Sequence, residues 1–276
     1  MKLKELLAYT SIKLSRSGIE GAARDARILS AFALEIPISE LSLKTNEQVS
    51  EKIISKLEKL ILRRIDREPI SKILGKREFW GRSFSINENV LDPRGDTETL
   101  IDFVIEKPVK SVLELGTGSG AIAITLACEW KEVHVTAVDI SEDALLLAKL
   151  NAEKFNVQNK IHFLNSDWYD NVKGLFDLII SNPPYISLAE QDELSAEVIK
   201  YDPEIALFAG RDGLDAYKKI IPNLPKFLKP NGFVALEIGA SQGVQVKNMM
   251  NAVGFIDAKI VKDLSGKDRL VAAKLA

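Results

Sequence analysis

"SVLELGTGSGAIAITLACEW", residues 111–130, decides how this chain folds. "SVLEL" is a short apolar run of the length and β-branched character of a buried strand. "GTGSG", Gly116 to Gly120, follows without a spacer. Glycines let a backbone turn sharply and let a ligand approach it closely. "AIAITLACEW" then reads as a helix. Strand, glycine turn and helix in that order form the ligand-binding end of a parallel α/β unit.

The same alternation continues downstream. "VHVTAV", "KIHFLN", "FDLII" and "GFVALEI" read as strands. "SEDALLLAKLNAEKF", "AYKKIIPNLPKFL" and "SQGVQVKNMMNAV" between them read as helices, and "DAKIVKD" and "RLVAAKL" close the sheet. Strands alternating with helices predict a mostly parallel sheet covered on both faces. Ligands of such sheets bind outside the carboxyl ends of the strands.

Four strand ends therefore matter most. The first carries Gly116, Thr117, Gly118, Ser119 and Gly120. The second ends in Asp139, about 25 residues after Glu114, where a carboxylate can accept both hydroxyls of a ribose. Glycine turn and spaced acid together point to a nucleoside-containing cofactor; a tight turn with a helix-capping Asp139 is the plain alternative. The third leads into "SDWYD", where Asp167 could accept from an adenine amino group and Trp168 could stack on the ring.

The fourth leads into "SNPPYIS", residues 181–187. Pro183 and Pro184 lack N–H groups and restrict φ, and Pro183 pushes Asn182 toward extended geometry. Backbone carbonyls are thus held in set directions, and Asn182 adds a side-chain acceptor. Two acceptors match the two protons of a planar –NH₂ group, and Tyr185 could cover that plane. The plain alternative is a rigid Pro-Pro turn with a surface tyrosine. Asn182, Pro183 and Tyr185 are the expected catalytic residues, and Pro184 lines the same substrate clamp.

Upstream, Leu3, Leu6 and Leu7, the run "GAARDARILSAFALEI", and the stripe Ile53, Leu57, Leu60 and Ile61 predict a small helical bundle over residues 1–74. Pro69 ends the stripe. Residues 75–95 read as a β-hairpin connector with Gly81 near its turn. Residues 96–276 form the α/β domain, entered through a helix that Asp96 or Thr97 could cap.

Composition bounds the chemistry. The chain has 276 residues, 28% of them charged, with a net charge of −2. Proteins that grip long stretches of nucleic acid are usually basic, so stable nucleic-acid binding is not expected. The lone Cys128 excludes an internal disulfide and reads as a buried thiol. His134 and His162 lack zinc-ligand spacing, and no metal is expected. No apolar run approaches the roughly 20 residues of a membrane span, and the N-terminal stretch lacks a signal-like apolar core. A monomeric cytoplasmic enzyme is the expectation.

"ELGTGSG", Asp139 and "NPPY" in this order resemble class I S-adenosylmethionine-dependent methyltransferases that act on amino or amide nitrogens. Adding the helical N-terminus, "LDPRGDTETL", "SDWY", "YDPEIALFAGRDGL" and "LEIGASQG", the whole chain resembles the HemK/PrmC family. That resemblance implies a Rossmann-like domain with a seven-stranded, mostly parallel sheet. It implies S-adenosyl-L-methionine as cofactor, held by residues 116–120, Asp139, Trp168 and Asn182. It also implies class 1 peptide chain release factors as substrates, methylated at N5 of the glutamine in their Gly-Gly-Gln loop and held by the N-terminal domain. The sequence departs from the family pattern at Lys72, Asp92 and Gly95, and whether the adjoining Arg94 and Glu98 contact cofactor stays open.

Other readings exist. "NPPY" fits adenine or guanine as well as an amide, so a nucleic acid amino-group methyltransferase is the alternative. Gly116, Gly118 and Ala121 also satisfy a dinucleotide fingerprint, but a nicotinamide-dependent oxidoreductase leaves "NPPY" without a role. A non-catalytic binding module leaves both motifs unused.

Overall fold

The computed structural model describes residues 1–275. The chain divides into two compact units, residues 1–75 with 195–201, and residues 76–194 with 202–276.

The first unit is helical: Leu3–Arg16, Ala22–Leu34, Glu51–Ile65, Ile70–Leu74 and Ala196–Tyr201. Its core gathers Leu3, Leu6, Leu14, Leu29, Leu57, Leu60 and Ile61, the periodic positions of the sequence. The apolar stripe of Glu51–Ile65 continues into Arg64, which is buried. Its guanidinium donates to Asp25 and to Glu197, both at 2.7 Å. Asp66 also accepts from Lys200 at 2.6 Å and from the Tyr201 hydroxyl at 2.8 Å. These pairs give Ala196–Tyr201, a helix not foreseen from the sequence, its place in this unit. No hydrophobic pattern in its six residues would have revealed that, because its anchors are polar.

The second unit opens with a hairpin, β1 (Lys76–Phe79) and β2 (Arg82–Ser85), turning at Trp80 and Gly81. Seven strands follow: β3 (Ser111–Leu115), β4 (His134–Asp139), β5 (Ile161–Asn165), β6 (Phe176–Ser181), β7 (Leu228–Glu237), β8 (Phe255–Lys262) and β9 (Asp268–Leu275). Their order is β5-β4-β3-β6-β7-β9-β8. Strands β3 to β7 pair in parallel, and β9 runs antiparallel between β7 and β8. This is the expected seven-stranded, mostly parallel sheet.

Every residue of β3 after Ser111 is buried, as is every residue of β6 except Asp177. Both faces of the sheet are covered. One apolar cluster holds Val112, Ile122, Leu126 and Leu178, and the other holds Leu113, Ile179, Tyr217 and Val246. Cys128 packs at the edge of the first cluster and is only partly buried.

Two helical expectations need correction. Residues 216–228 form a helix Asp215–Ile220, a 3-10 turn Ile221–Asn223 and a helical turn Leu224–Phe227. Pro222 and Pro225 each remove a backbone donor and interrupt the ladder. The helix Glu98–Ile105 has no side-chain cap. Asp96 pairs with Arg269 at 3.1 Å, and the Thr97 hydroxyl accepts from Asn182. No helix among the described residues is long and apolar enough to cross a membrane.

Arg64→Ala leaves Asp25 buried without its cation. Removing one member of a buried pair costs roughly 3–5 kcal/mol. Calorimetric unfolding of the variant should show a loss of that size, and a smaller one for Glu197→Ala, whose carboxylate is more exposed.

Candidate active site

Parallel register builds the site. Leu115 pairs with Val138 on one side and Ser181 on the other, and Ser181 pairs with Leu236. The next residue of each strand therefore falls in one row at the carboxyl edge: Asp139, Gly116, Asn182 and Glu237. Strands β4 and β5 lie on one side of β3 and β6 on the other, so β3 and β6 flank the point where strand order reverses. Such a point opens a crevice. A cavity of about 450 Å³ lies there.

Gly116, Thr117, Gly118, Ser119, Asp139, Trp168, Asn182 and Pro184 line this cavity. Gly116 and Gly118 take φ of +71° and +54°, and a Cβ on either would meet no protein atom within 4 Å. A side chain there would stand in open space at the cavity wall. Gly120 instead faces Ile124 and Ala148 in the packing beneath the helix. Pro183 is buried and Tyr185 half-buried, and neither forms part of the wall.

Asp139 holds the glycine loop in shape. Its Oδ2 accepts from Gly118 N at 2.8 Å and its Oδ1 from Ser141 N at 3.0 Å. Each oxygen keeps a further lone pair for a ligand hydroxyl. Burial raises its pKa, and those two N–H groups oppose the rise. The cap of the following helix is Ser141, not Asp139.

Glu114 is buried beneath the same loop. Its Oε2 accepts from the Thr117 hydroxyl at 2.7 Å and from Ala123 N at 3.1 Å. Burial pushes its pKa up to about 8 against those two bonds, with Asp139 adding to the rise. Trp168 takes a φ of +49°, and the adjacent Asp167 lies 3.8 Å from Lys219.

The Asn182 segment is clamped from behind. The Ser181 hydroxyl donates to Leu115 O at 2.6 Å. Ile186 donates to Leu207 O at 3.0 Å and accepts from Ala209 N at 2.9 Å. The Gln242 side chain donates to the carbonyls of Tyr185 and Gly213, at 2.9 and 3.1 Å, and accepts from Gly239 N at 2.9 Å. Gly213 sits so close that a Cβ would fall 2.4 Å from Tyr185 O. "FAGRDGL" and "LEIGASQG" are thus the scaffold of "NPPYI".

Arg94 pairs with Asp202 at 2.7 Å, and Glu98 accepts from Trp80 N at 2.8 Å. Both engage protein partners away from the cavity wall. Sequence reasoning gave no role to Glu114, Glu237 or Gln242, and read Thr97 only as a helix cap. "VLEL" and "ALEI" carried a signal, since each sets a carboxylate near the end of an apolar strand. Thr97 and Gln242 had none, because their partners are distant in the chain.

With this geometry in view, comparison with known proteins is direct. Residues 5–75 match the PrmC N-terminal domain, and residues 88–206 match the methyltransferase small domain. A release factor glutamine methyltransferase of Cereibacter sphaeroides is 40% identical, with 100% of this chain and 99% of the relative covered. The chain belongs to the release factor glutamine methyltransferase family. A bifunctional methyltransferase of Rickettsia prowazekii is 42% identical over 98% of this chain. That alignment covers 56% of the relative, so the chain spans about half the length of the bifunctional members of the family it matches. The fold is shared with a methyltransferase of Pyrococcus furiosus, at a TM-score of 0.53 and 21% identity, covering 80% of this chain and 98% of that one.

S-adenosyl-L-methionine is the cofactor of this family, and the residues present fit it. Open glycines at the wall admit a ligand against the backbone. Glu114, Asp139, Asp167 and Asp215 face the cavity against the single cation Lys219, which suits a ligand bearing sulfonium and ammonium charges.

Two predictions follow from this environment. Without ligand, Glu114 holds its proton up to about pH 8, whereas an unfolded glutamate titrates near 4.5. Its contribution to stability is full below about pH 4.5 and is lost as pH rises toward 8. A cationic ligand beside it lowers its pKa, so cofactor binding at pH 7 should release protons and tighten as pH rises. Calorimetry in buffers of different ionisation enthalpy should show the release, reduced in Glu114→Gln. Gly213→Ala should destabilise by about 1–3 kcal/mol through its φ of +72° and the collision with Tyr185 O, measured by thermal unfolding.

Proposed function

We propose that this protein transfers the methyl group of S-adenosyl-L-methionine to N5 of the glutamine in the Gly-Gly-Gln loop of class 1 peptide chain release factors. The placement of Asn182 carries the reading. It stands between Gly116 and Glu237 in the edge row, at the cavity wall, with its Nδ2 already donated to Thr97 at 3.1 Å. Its Oδ1, an acceptor, has no partner among the described residues and can serve a ligand. Similarity over the full chain to release factor glutamine methyltransferases supports the substrate.

An amide nitrogen is a poor nucleophile because its lone pair is delocalised into the carbonyl. When bound, the cofactor supplies an electrophilic methyl group on a positively charged sulfur. The protein's task is to position the nitrogen and draw electron density to it. Asn182 Oδ1 at the wall accepts one amide proton and the carbonyl of Pro183, between the wall residues Asn182 and Pro184, accepts the other; as nitrogen takes the methyl it gives up one of these protons, and S-adenosylhomocysteine leaves. Those bonds strengthen as positive charge builds on nitrogen, which stabilises the transition state more than the ground state. Alignment alone can supply several kcal/mol, up to roughly 7–11 in ideal intramolecular cases. Prolines 183 and 184 and the Gln242 bridge keep the acceptors from relaxing.

Tyr185 supports the substrate plane through the main chain of the acceptor segment, while its ring packs against the core and its hydroxyl turns inward to Glu237 at 3.4 Å. Burial pushes its phenol pKa up, so it stays protonated. Gly116 to Ser119, Asp139 and Trp168 hold the cofactor, while Gly120 packs the loop against the helix behind it. The helical unit contributes to holding the release factor. The enzyme acts as a cytoplasmic monomer on protein rather than nucleic acid, in keeping with a net charge of −2.

Asn182→Ala should lower kcat by about 10²–10³-fold, the size of losing one transition-state hydrogen-bonding partner. Cofactor affinity should stay within a few-fold. The decisive assay offers labelled S-adenosyl-L-methionine with purified release factor and, separately, DNA. Mass spectrometry should place the methyl on the glutamine; label in DNA alone would instead establish a nucleic acid enzyme.

A further inference from the structure

Glu237 ends β7 in the edge row, one strand beyond Asn182. Its carboxyl is 1% exposed. Oε1 meets the Tyr185 hydroxyl only at 3.4 Å, and Oε2 has no hydrogen-bond partner. A buried carboxyl so poorly satisfied is costly unless it serves something. Thr97, itself 4% exposed, stands beside it, and its hydroxyl favours the charged carboxylate. The same hydroxyl oxygen accepts from Asn182 Nδ2 at 3.1 Å.

We infer that Thr97 and Glu237 are positioning residues that set the orientation of the Asn182 carboxamide. This rests on reading Asn182 as the acceptor for the substrate amide. A hydroxyl has one proton. In the inferred relay a charged Glu237, which can only accept, takes that proton at its open Oε2 and leaves the Thr97 oxygen to accept from the Asn182 NH₂, the bond seen at 3.1 Å. Oδ1 then faces the substrate. With Glu237 protonated, the chain of donors can reverse: carboxyl to Thr97, and Thr97 to Asn182 Oδ1. Asn182 would then present NH₂ to the NH₂ of the substrate, donor against donor.

Protonation of Glu237 is therefore the variable that matters. It is faced by Thr97 and Asp96 from the segment preceding Glu98–Ile105, by Tyr185 after β6, by Tyr217 from Asp215–Ile220 and by Arg269 on β9. Burial pushes its pKa up to about 7, with Thr97 and Arg269 holding it down and Asp96 raising it. Catalysis should need the charged form, so kcat should fall as pH drops through that region.

The test compares Thr97→Val, Thr97→Ser, Glu237→Gln and Asn182→Ala with the unchanged protein. It uses a purified release factor, with kcat and KM across pH 5.5–9. Calorimetry measures cofactor affinity, and release factor binding to the S-adenosylhomocysteine complex. Thr97→Val should lose about 10–100-fold in kcat, the effect of one misdirected hydrogen bond. It should keep cofactor affinity within about threefold and weaken release factor binding to the dead-end complex. Thr97→Ser should restore most of the rate. Glu237→Gln should abolish the acidic limb of the kcat profile. Near-normal kcat in Thr97→Val, with Asn182→Ala inactive, would overturn the relay and leave the acceptor role of Asn182 standing. Full activity in Asn182→Ala would overturn both. A Thr97→Val defect that tracks lost cofactor affinity or lost thermal stability, without rescue in Thr97→Ser, would reduce the pair to a packing role.

Discussion

The parallel register of four adjacent strands is the constraint on which the site depends. Val138, Leu115, Ser181 and Leu236 lie opposite one another, so Asp139, Gly116, Asn182 and Glu237 emerge side by side. Strands about 4.8 Å apart set the spacing of that row. A slip of one residue in any strand would turn its side chains to the other face. Near-complete burial of β3 and β6 opposes such a slip, because apolar side chains pack on both faces. Hydrophobic packing remote from the ligand thereby aligns the polar groups that meet it.

The row divides by task. In the proposed mechanism Asp139 and the glycine loop form the cofactor side, and Glu114 is buried beneath them. In the same proposed mechanism Asn182 and Glu237 form the acceptor side, with Thr97 bridging toward Asn182 from another segment. Each side has a buried carboxyl with a raised pKa. Such groups are destabilising in the empty protein, and they accumulate where charge must be balanced or a donor directed. The chain retains them in positions that hydrophobic residues would fill at lower cost.

Rigidity of the acceptor segment is assembled from distant parts. Proline restricts only φ. The remaining freedom of residues 182–186 is removed by Leu207, Ala209, Gly213 and Gln242. This accounts for two motifs, "FAGRDGL" and "LEIGASQG", that carry no reactive group. The glycine at 213 is there because the Tyr185 carbonyl occupies the space of a side chain. The helix Ala196–Tyr201, in the stretch between Ile186 and Leu207, packs in the other unit through the pairs of Arg64 and Asp66.

Much of this was legible in the chain itself. Alternating strand and helix patterns, the glycine turn, Asp139 and the Asn182 motif are local, and local patterns report the strands and the residues at their ends, though not the order of strands in the sheet. Asp96 and Thr97 show where such reading stops: at a helix start they look like caps, yet their partners Arg269 and Asn182 are far away in sequence. Glu237 looked like one residue of a strand and proved to be a buried carboxyl beside the acceptor. The helix Ala196–Tyr201 left no hydrophobic trace because ion pairs hold it. Sequence by itself determined the fold class and pointed to the strand ends, since these follow from periodicity and residue type, and it suggested the planar amino group of the proposed substrate. Only the tertiary structure decided that Asn182 Nδ2 donates to Thr97 and that its Oδ1 stays without a protein partner among the described residues. Hydrogen-bond direction depends on partners that strand pairing, not sequence proximity, brings together.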